Sequence, residues 1–160
     1  MRINFYEARL SEDDRTMLVK EKGVNYEAGK LSSPKDIVLM MRRLLQMEQM
    51  AEEHCYIVAL DNANKVIGIF LLSKGTVNEC LISPREVFMR ALLIGAVGII
   101  LCHNHPSGDV TPSNADMEIT KRLGEAGILL NIALLDHIII GADQYFSFGE
   151  AGILRKDGAL

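Results

Sequence analysis

At 160 residues, 49% of them apolar, with a formal net charge of −4, the chain has the size and composition of one domain with a sizeable core. That acidic balance argues against a non-specific nucleic-acid binder, which needs a basic face or stripe; the densest basic cluster, Met41-Arg42-Arg43, falls on an expected helix and reads as a solvated face. The apolar runs are shorter than the roughly 18 residues of a membrane span, no secretory signal precedes the charged run at residues 11–15, and three scattered cysteines suit a reducing compartment, so a cytoplasmic protein is expected.

Residues 1–31 hold two strand-like runs, at 3–6 and 17–20, around a polar turn, and read as an N-terminal arm or hairpin ahead of a main domain at 32–160. Ser33-Pro34-Lys35-Asp36 combines an N-cap, a proline at the first helical position and an acid in the first turn. It predicts an amphipathic helix through about Met47 with its methionine face inward. Runs at 55–60 and 66–72 are joined by Asp61-Asn62-Ala63-Asn64 and predict a hairpin. A further run at 76–80 precedes Ser83-Pro84-Arg85-Glu86, a second helix start. Residues 91–102 then look like a buried helix feeding a buried strand. A third helix is expected from Ser113 to about Ala126, stopped by Gly127, with strands at 129–134, 138–140 and 145–147 completing the sheet. The alternation predicts an α/β (α+β) fold, a mixed sheet flanked by helices.

The apolar strand leads into His103-Asn104-His105-Pro106-Ser107-Gly108-Asp109, with Ser113 and Asp116 beyond. In extended backbone residues i and i+2 share a side, and Pro106 biases His105 away from the α region, so the two imidazoles face one point. Ser113 and Asp116 have the spacing of a capping box. A short loop can also return the Asp116 carboxylate to the imidazoles, giving a two-nitrogen, one-oxygen set suited to Zn²⁺ with a fourth position left for water. Such a set leaves zinc with a net charge of about +1, which lowers the pKa of water toward ~7. Asp109 belongs to turn chemistry, and His54 and His137 read as packing groups or partners of the ligands. Cys102 faces away from its neighbour His103 and reads as core.

The spacing His-x-His-x₇-Ser-x₂-Asp resembles the JAMM signature of the JAB/MPN zinc metallopeptidases, and His-Asn-His-Pro-Ser-Gly-Asp is similar to the version carried by their RadC-like branch. The likeness takes in Pro84-Arg85-Glu86-Val87-Phe88 and Leu135-Asp136-His137-Ile138-Ile139-Ile140-Gly141 and covers roughly residues 33 to 150. It implies a JAB/MPN-like fold of cytidine-deaminase-like architecture, His103, His105 and Asp116 as zinc ligands, and a serine, Ser113, that helps hold the tetrahedral oxyanion. It also implies a glutamate base just before the first hairpin strand, where this chain has Glu52 and Glu53. Glu53 is the better match. On a strand it shares a face with Cys55, Ile57 and Ala59, whereas Glu52 shares one with His54, Tyr56 and Val58, so only one of them can aim at the metal.

The implied reaction is hydrolysis of a peptide or protein amide, with Glu53 taking a proton from the attacking water and passing it to the leaving amine. The helical extension of longer RadC-like proteins is not expected here, so no role is carried over from that extension, while a RadC-like protein linked to DNA metabolism stays open as an alternative. Two other classes stay open. One is a non-catalytic JAB/MPN interaction module, whose usual feature is loss of ligands, and here His103, His105 and Asp116 are all kept. The other is a zinc hydrolase with a nucleic-acid-linked or small amide substrate. An HNH nuclease is rejected, because its named residues are separated along a ββα unit, and a zinc deaminase lacks its His-x-Glu and Pro-Cys-x-x-Cys pair here.

Overall fold

Seven strands form one mixed sheet in the computed structural model, which describes residues 1–27, 31–75 and 82–154. In chain order the elements are β1 (Arg2–Leu10), β2 (Thr16–Asn25), α1 (Pro34–Leu45), β3 (Glu53–Leu60), β4 (Val66–Gly75), α2 (Pro84–Ile94), β5 (Gly98–Asn104), α3 (Asn114–Leu130), β6 (Ala133–Ile140) and β7 (Tyr145–Ser147). The strand order is β2-β1-β4-β3-β5-β6-β7. Among the described residues, only β1/β4 and β5/β6 run parallel.

Alternation along the strands sorts the core into two layers. Val58, Cys102, Ile138 and Ile140 pack with Met40, Met41 and Met47 on the α1 side. Ile57, Ile99, Leu101 and Ile139 pack with Val87, Phe88 and Leu123 on the α2/α3 side. Helices therefore cover both faces, and β5, an interior strand between β3 and β6, is buried along its whole length.

Local signals account for most element ends. α1 carries the expected capping box, with Asp36 reaching back to Ser33, and stops at Leu45 because Gln46 takes a left-handed conformation (φ 52°). Met47 falls just outside the helix in a short 3-10 turn (Met47–Gln49), still fully buried. In the β3–β4 turn Asp61 Oδ1 accepts from the backbone of Ala63 and Lys65. Ser83 does not cap α2 through its side chain; Glu86 turns instead to Arg90, at 3.0 Å.

Three expectations change. The N-terminal runs are longer strands, and β1 joins the sheet beside β4 with Ile3 and Phe5 buried. Gly127 does not stop α3, which continues to Leu130 and ends on Asn131 (φ 54°), so Leu129 and Leu130 are helical and β6 is one strand from Ala133. A Cβ at Gly127 would lie 2.5 Å from the Ile132 carbonyl oxygen, so this glycine serves close packing at the helix end rather than termination. The run at 76–80 lies outside the described residues. Among the described residues no helix is long and apolar enough to cross a membrane.

Candidate metal centre

The site lies where β5 ends and α3 begins. His103 is in register with Cys55 on β3 and Ile139 on β6, faces α3, and is 4% exposed. His105 extends the ladder one step past β5, its backbone N–H donating to the Ile140 carbonyl at 3.0 Å. The chain then turns through Gly108 (φ 81°), whose N–H donates to the His105 carbonyl. That turn places the Asp109 carbonyl 2.7 Å from His105 Nδ1. A carbonyl only accepts, so Nδ1 is the donor, and the neutral ring presents a lone pair at Nε2. α3 opens with the expected capping box: Asp116 N–H donates to Ser113 Oγ at 3.1 Å, and Ser113 N–H and Oγ–H both donate to Asp116 Oδ2 at 2.7 Å. Asp116 therefore does serve the helix cap, and its carboxylate also meets the imidazoles.

His103 Nε2 lies 3.0 Å from His105 Nε2 and 3.2 Å from Asp116 Oδ1, and His105 Nε2 lies 3.6 Å from Asp116 Oδ2. On its other side, His103 Nδ1 is 2.9 Å from His137 Nε2, and His137 Nδ1 is 2.6 Å from Thr120 Oγ1. His103, Asp116 and His137 bring ligand atoms within 4.8 Å of one another and form a His-Asp-His group able to hold a metal ion. A second such group replaces His137 with His105. The two differ in freedom to bind, since both ring nitrogens of His137 already have partners whereas His105 Nε2 points into the cluster.

Burial holds the His103 pKa down to about 4, against the opposing pull of Asp116, so this ring is neutral at pH 7. His105 moves up, chiefly through its hydrogen bond to Asp116. Burial alone would raise Asp116, yet the hydrogen bond to His105, the pull of His103 when that ring is protonated and the Ser113 bonds together hold it well below the usual carboxylate range.

A family model described as the RadC-like JAB domain matches residues 31–153. The chain belongs to that family. The match spans α1 to β7 and every site residue, while the β1–β2 hairpin lies ahead of it. A UPF0758 protein of Clostridium acetobutylicum is 45% identical over 130 residues, 81% of this chain and 56% of that protein. Another, from Caldanaerobacter subterraneus subsp. tengcongensis, is 42% identical over 138 residues, 86% of this chain and 57% of its own length. A third, from Desulfitobacterium hafniense, is 44% identical over 124 residues, 78% and 54% respectively. The chain thus spans about half the length of the curated relatives it matches.

Within this RadC-like JAB domain the two candidate glutamates part company. Glu53 begins β3 two residues before Cys55, the partner of His103, and so sits on the sheet face that carries the cluster. Burial raises its carboxyl, and the charges of His105 and Asp116 act on it in opposite directions. Glu52 points elsewhere, to Lys74 Nζ at 3.0 Å, with about half its side chain exposed. Asp109 spends Oδ1 on the backbone and hydroxyl of Thr111. The His54 ring bonds the Glu52 carbonyl and stacks on Tyr56, outside the cluster. Cys102 lies in the α1-side core with its thiol pushed far up by burial.

Two contributors are given no role by the sequence. Asn104, between the histidines, accepts from the His54 backbone at 2.8 Å and donates to the Glu52 carbonyl at 3.0 Å, pinning the start of β3 against the end of β5. Thr120 is one helical turn after Asp116, a spacing that places them on one face but says nothing of His137.

Proposed function

We propose that this RadC-like JAB domain is a zinc-dependent hydrolase, a metallopeptidase cleaving an amide bond in a peptide or protein. His103, His105 and Asp116 are its ligands, Glu53 its general base, and Ser113 the hydroxyl that serves the oxyanion. The reading is carried by one observation: two imidazole Nε2 atoms and a carboxylate converge at 3.0, 3.2 and 3.6 Å. Tetrahedral zinc with bonds of about 2.0–2.1 Å needs ligands about 3.3 Å apart. With His105 neutral, its Nε2 lone pair and the Asp116 carboxylate are both acceptors, so a proton in the metal-free protein, or a metal ion in its place, belongs between them. A nitrogen- and oxygen-rich set with both imidazole and carboxylate suits zinc.

A zinc ion held there supplies Lewis-acid charge that polarises a carbonyl and acidifies water. The remaining work falls to the chain. Glu53 takes the proton of the attacking water, and its raised pKa helps it retain that proton until the amine leaves. Ser113 Oγ is committed to the capping box, so serving an oxyanion requires its proton to swing from Asp116, whose carboxylate keeps the Ser113 backbone N–H.

The test is metal analysis of the parent and of a His103→Ala/His105→Ala double variant, followed by an amide-hydrolysis screen of the zinc-loaded parent. One zinc per chain, lost in the double variant, and hydrolysis of at least one amide class are expected. Full zinc occupancy in the double variant would remove this site. A loaded parent that hydrolyses nothing would favour an interaction module.

A further inference from the structure

We propose that Thr120 and His137 are positioning residues that set the tautomer of His103, so that its Nε2 lone pair faces the ligand cluster. The inference rests on the zinc-site reading above and goes beyond it by assigning work to two residues outside the ligand set.

The argument follows one proton count. The Asp116 backbone carbonyl is an acceptor only, and Thr120 Oγ1 lies 2.5 Å from it. Thr120 has a single hydroxyl proton, which must be donated there. Its oxygen can then only accept from His137 Nδ1, 2.6 Å away. His137 therefore carries its proton on Nδ1, and the neutral ring leaves Nε2 as an acceptor. His103 Nδ1, 2.9 Å away, has to donate to it. A neutral His103 that donates from Nδ1 has its lone pair on Nε2, the atom 3.0 Å from His105 and 3.2 Å from Asp116.

Every direction in this chain is forced by one carbonyl. Thr120 and His137 are both 0% exposed, so no bulk water can reverse a bond. His137 is also held in place, its ring stacked on Phe148 with centroids 4.7 Å apart and planes 10° from parallel. The relay starts at the backbone of Asp116 and ends at an imidazole that meets the carboxylate of the same residue. The first turn of α3 thus supplies one ligand and orients another.

Thr120→Val keeps the shape and removes the acceptor. The buried His137 Nδ1–H then has no partner, and the alternative tautomer, with the proton on Nε2, becomes favoured. That proton would point at His103 Nδ1 and force the His103 proton onto Nε2, closing the lone pair to a metal. Zinc affinity measured by chelator competition should fall about 10–100-fold in Thr120→Val, the usual loss for partners of metal ligands. Thr120→Ser, which restores the hydroxyl, should recover most of it. Nitrogen-15 spectra of the histidines in the metal-free parent should report protons on Nδ1 of both His103 and His137, and both should move to Nε2 in Thr120→Val.

Parent-like zinc affinity in a folded Thr120→Val, or a metal-free parent with His103 protonated on Nε2, would overturn the positioning role while leaving the zinc site standing. A parent that binds no zinc would overturn both.

Discussion

Removing the Asp116 carboxylate separates its two duties, because one acts without metal and the other only with it. In metal-free protein Asp116→Ala abolishes a capping box in which Asp116 Oδ2 accepts two bonds of 2.7 Å from Ser113. Loss of such a cap costs about 1 kcal/mol, or roughly 2–4 °C for a domain of this size. Zinc at 1,000 times the parent's Kd stabilises the parent by about 4.1 kcal/mol. If losing the carboxylate weakens binding at least about 100-fold, the same zinc stabilises the variant by no more than about 1.4 kcal/mol. The gap should therefore widen from about 1 to about 3.7 kcal/mol or more, on the order of 10 °C. The assay is thermal unfolding of both proteins in chelator and in buffered excess zinc. Ser113→Ala is the control, since it weakens the cap but leaves the ligands, and its gap to the parent should be the same with and without zinc. An equal zinc-induced shift in Asp116→Ala and the parent would refute the carboxylate as a ligand.

Glu53→Gln should keep zinc and fold yet lose about 10²–10⁴-fold in turnover, while Glu52→Gln, which breaks only an exposed contact to Lys74, should change little; equal losses, or a loss confined to Glu52→Gln, would show the base to be misassigned. The His103 pKa is depressed from 6.5 to about 4, so its contribution to metal-free stability is full above pH 6.5 and is lost as pH falls toward 4, by roughly 3 kcal/mol, with His137 acting in the same sense and the raised His105 opposing both. Urea midpoints that stay level or rise from pH 7 to 4.5 would contradict this. Gly127→Ala should destabilise by about 1–3 kcal/mol despite the better helix propensity of alanine, because its Cβ would meet the Ile132 carbonyl oxygen at 2.5 Å; a higher urea midpoint would disprove the packing argument. Binding to DNA should be weak and fall steeply with salt, as the net charge of −4 suggests; tight, salt-resistant binding in a filter or anisotropy assay would reverse that expectation.

Much of the site was legible along the chain because its parts are local. Strand periodicity put His103 and His105 toward one point, and cap chemistry put Asp116 in the first turn of α3, both properties of segments only a few residues long. The hairpin of β3 and β4 and the starts of all three helices follow from the same short-range rules. Other features depend on what lies across the sheet. Parity along β3 separates Glu52 from Glu53, but which of them lies on the face that carries the cluster follows from the pairing of Cys55 with His103. Gly127 looks like a stop only until Ile132 and Phe88 are seen packed against it. The bond from Thr120 to His137 joins residues 17 apart with no fixed spacing between them. It forms because β6 enters the sheet beside β5 and under α3, an arrangement set by burial of both layers rather than by any segment alone.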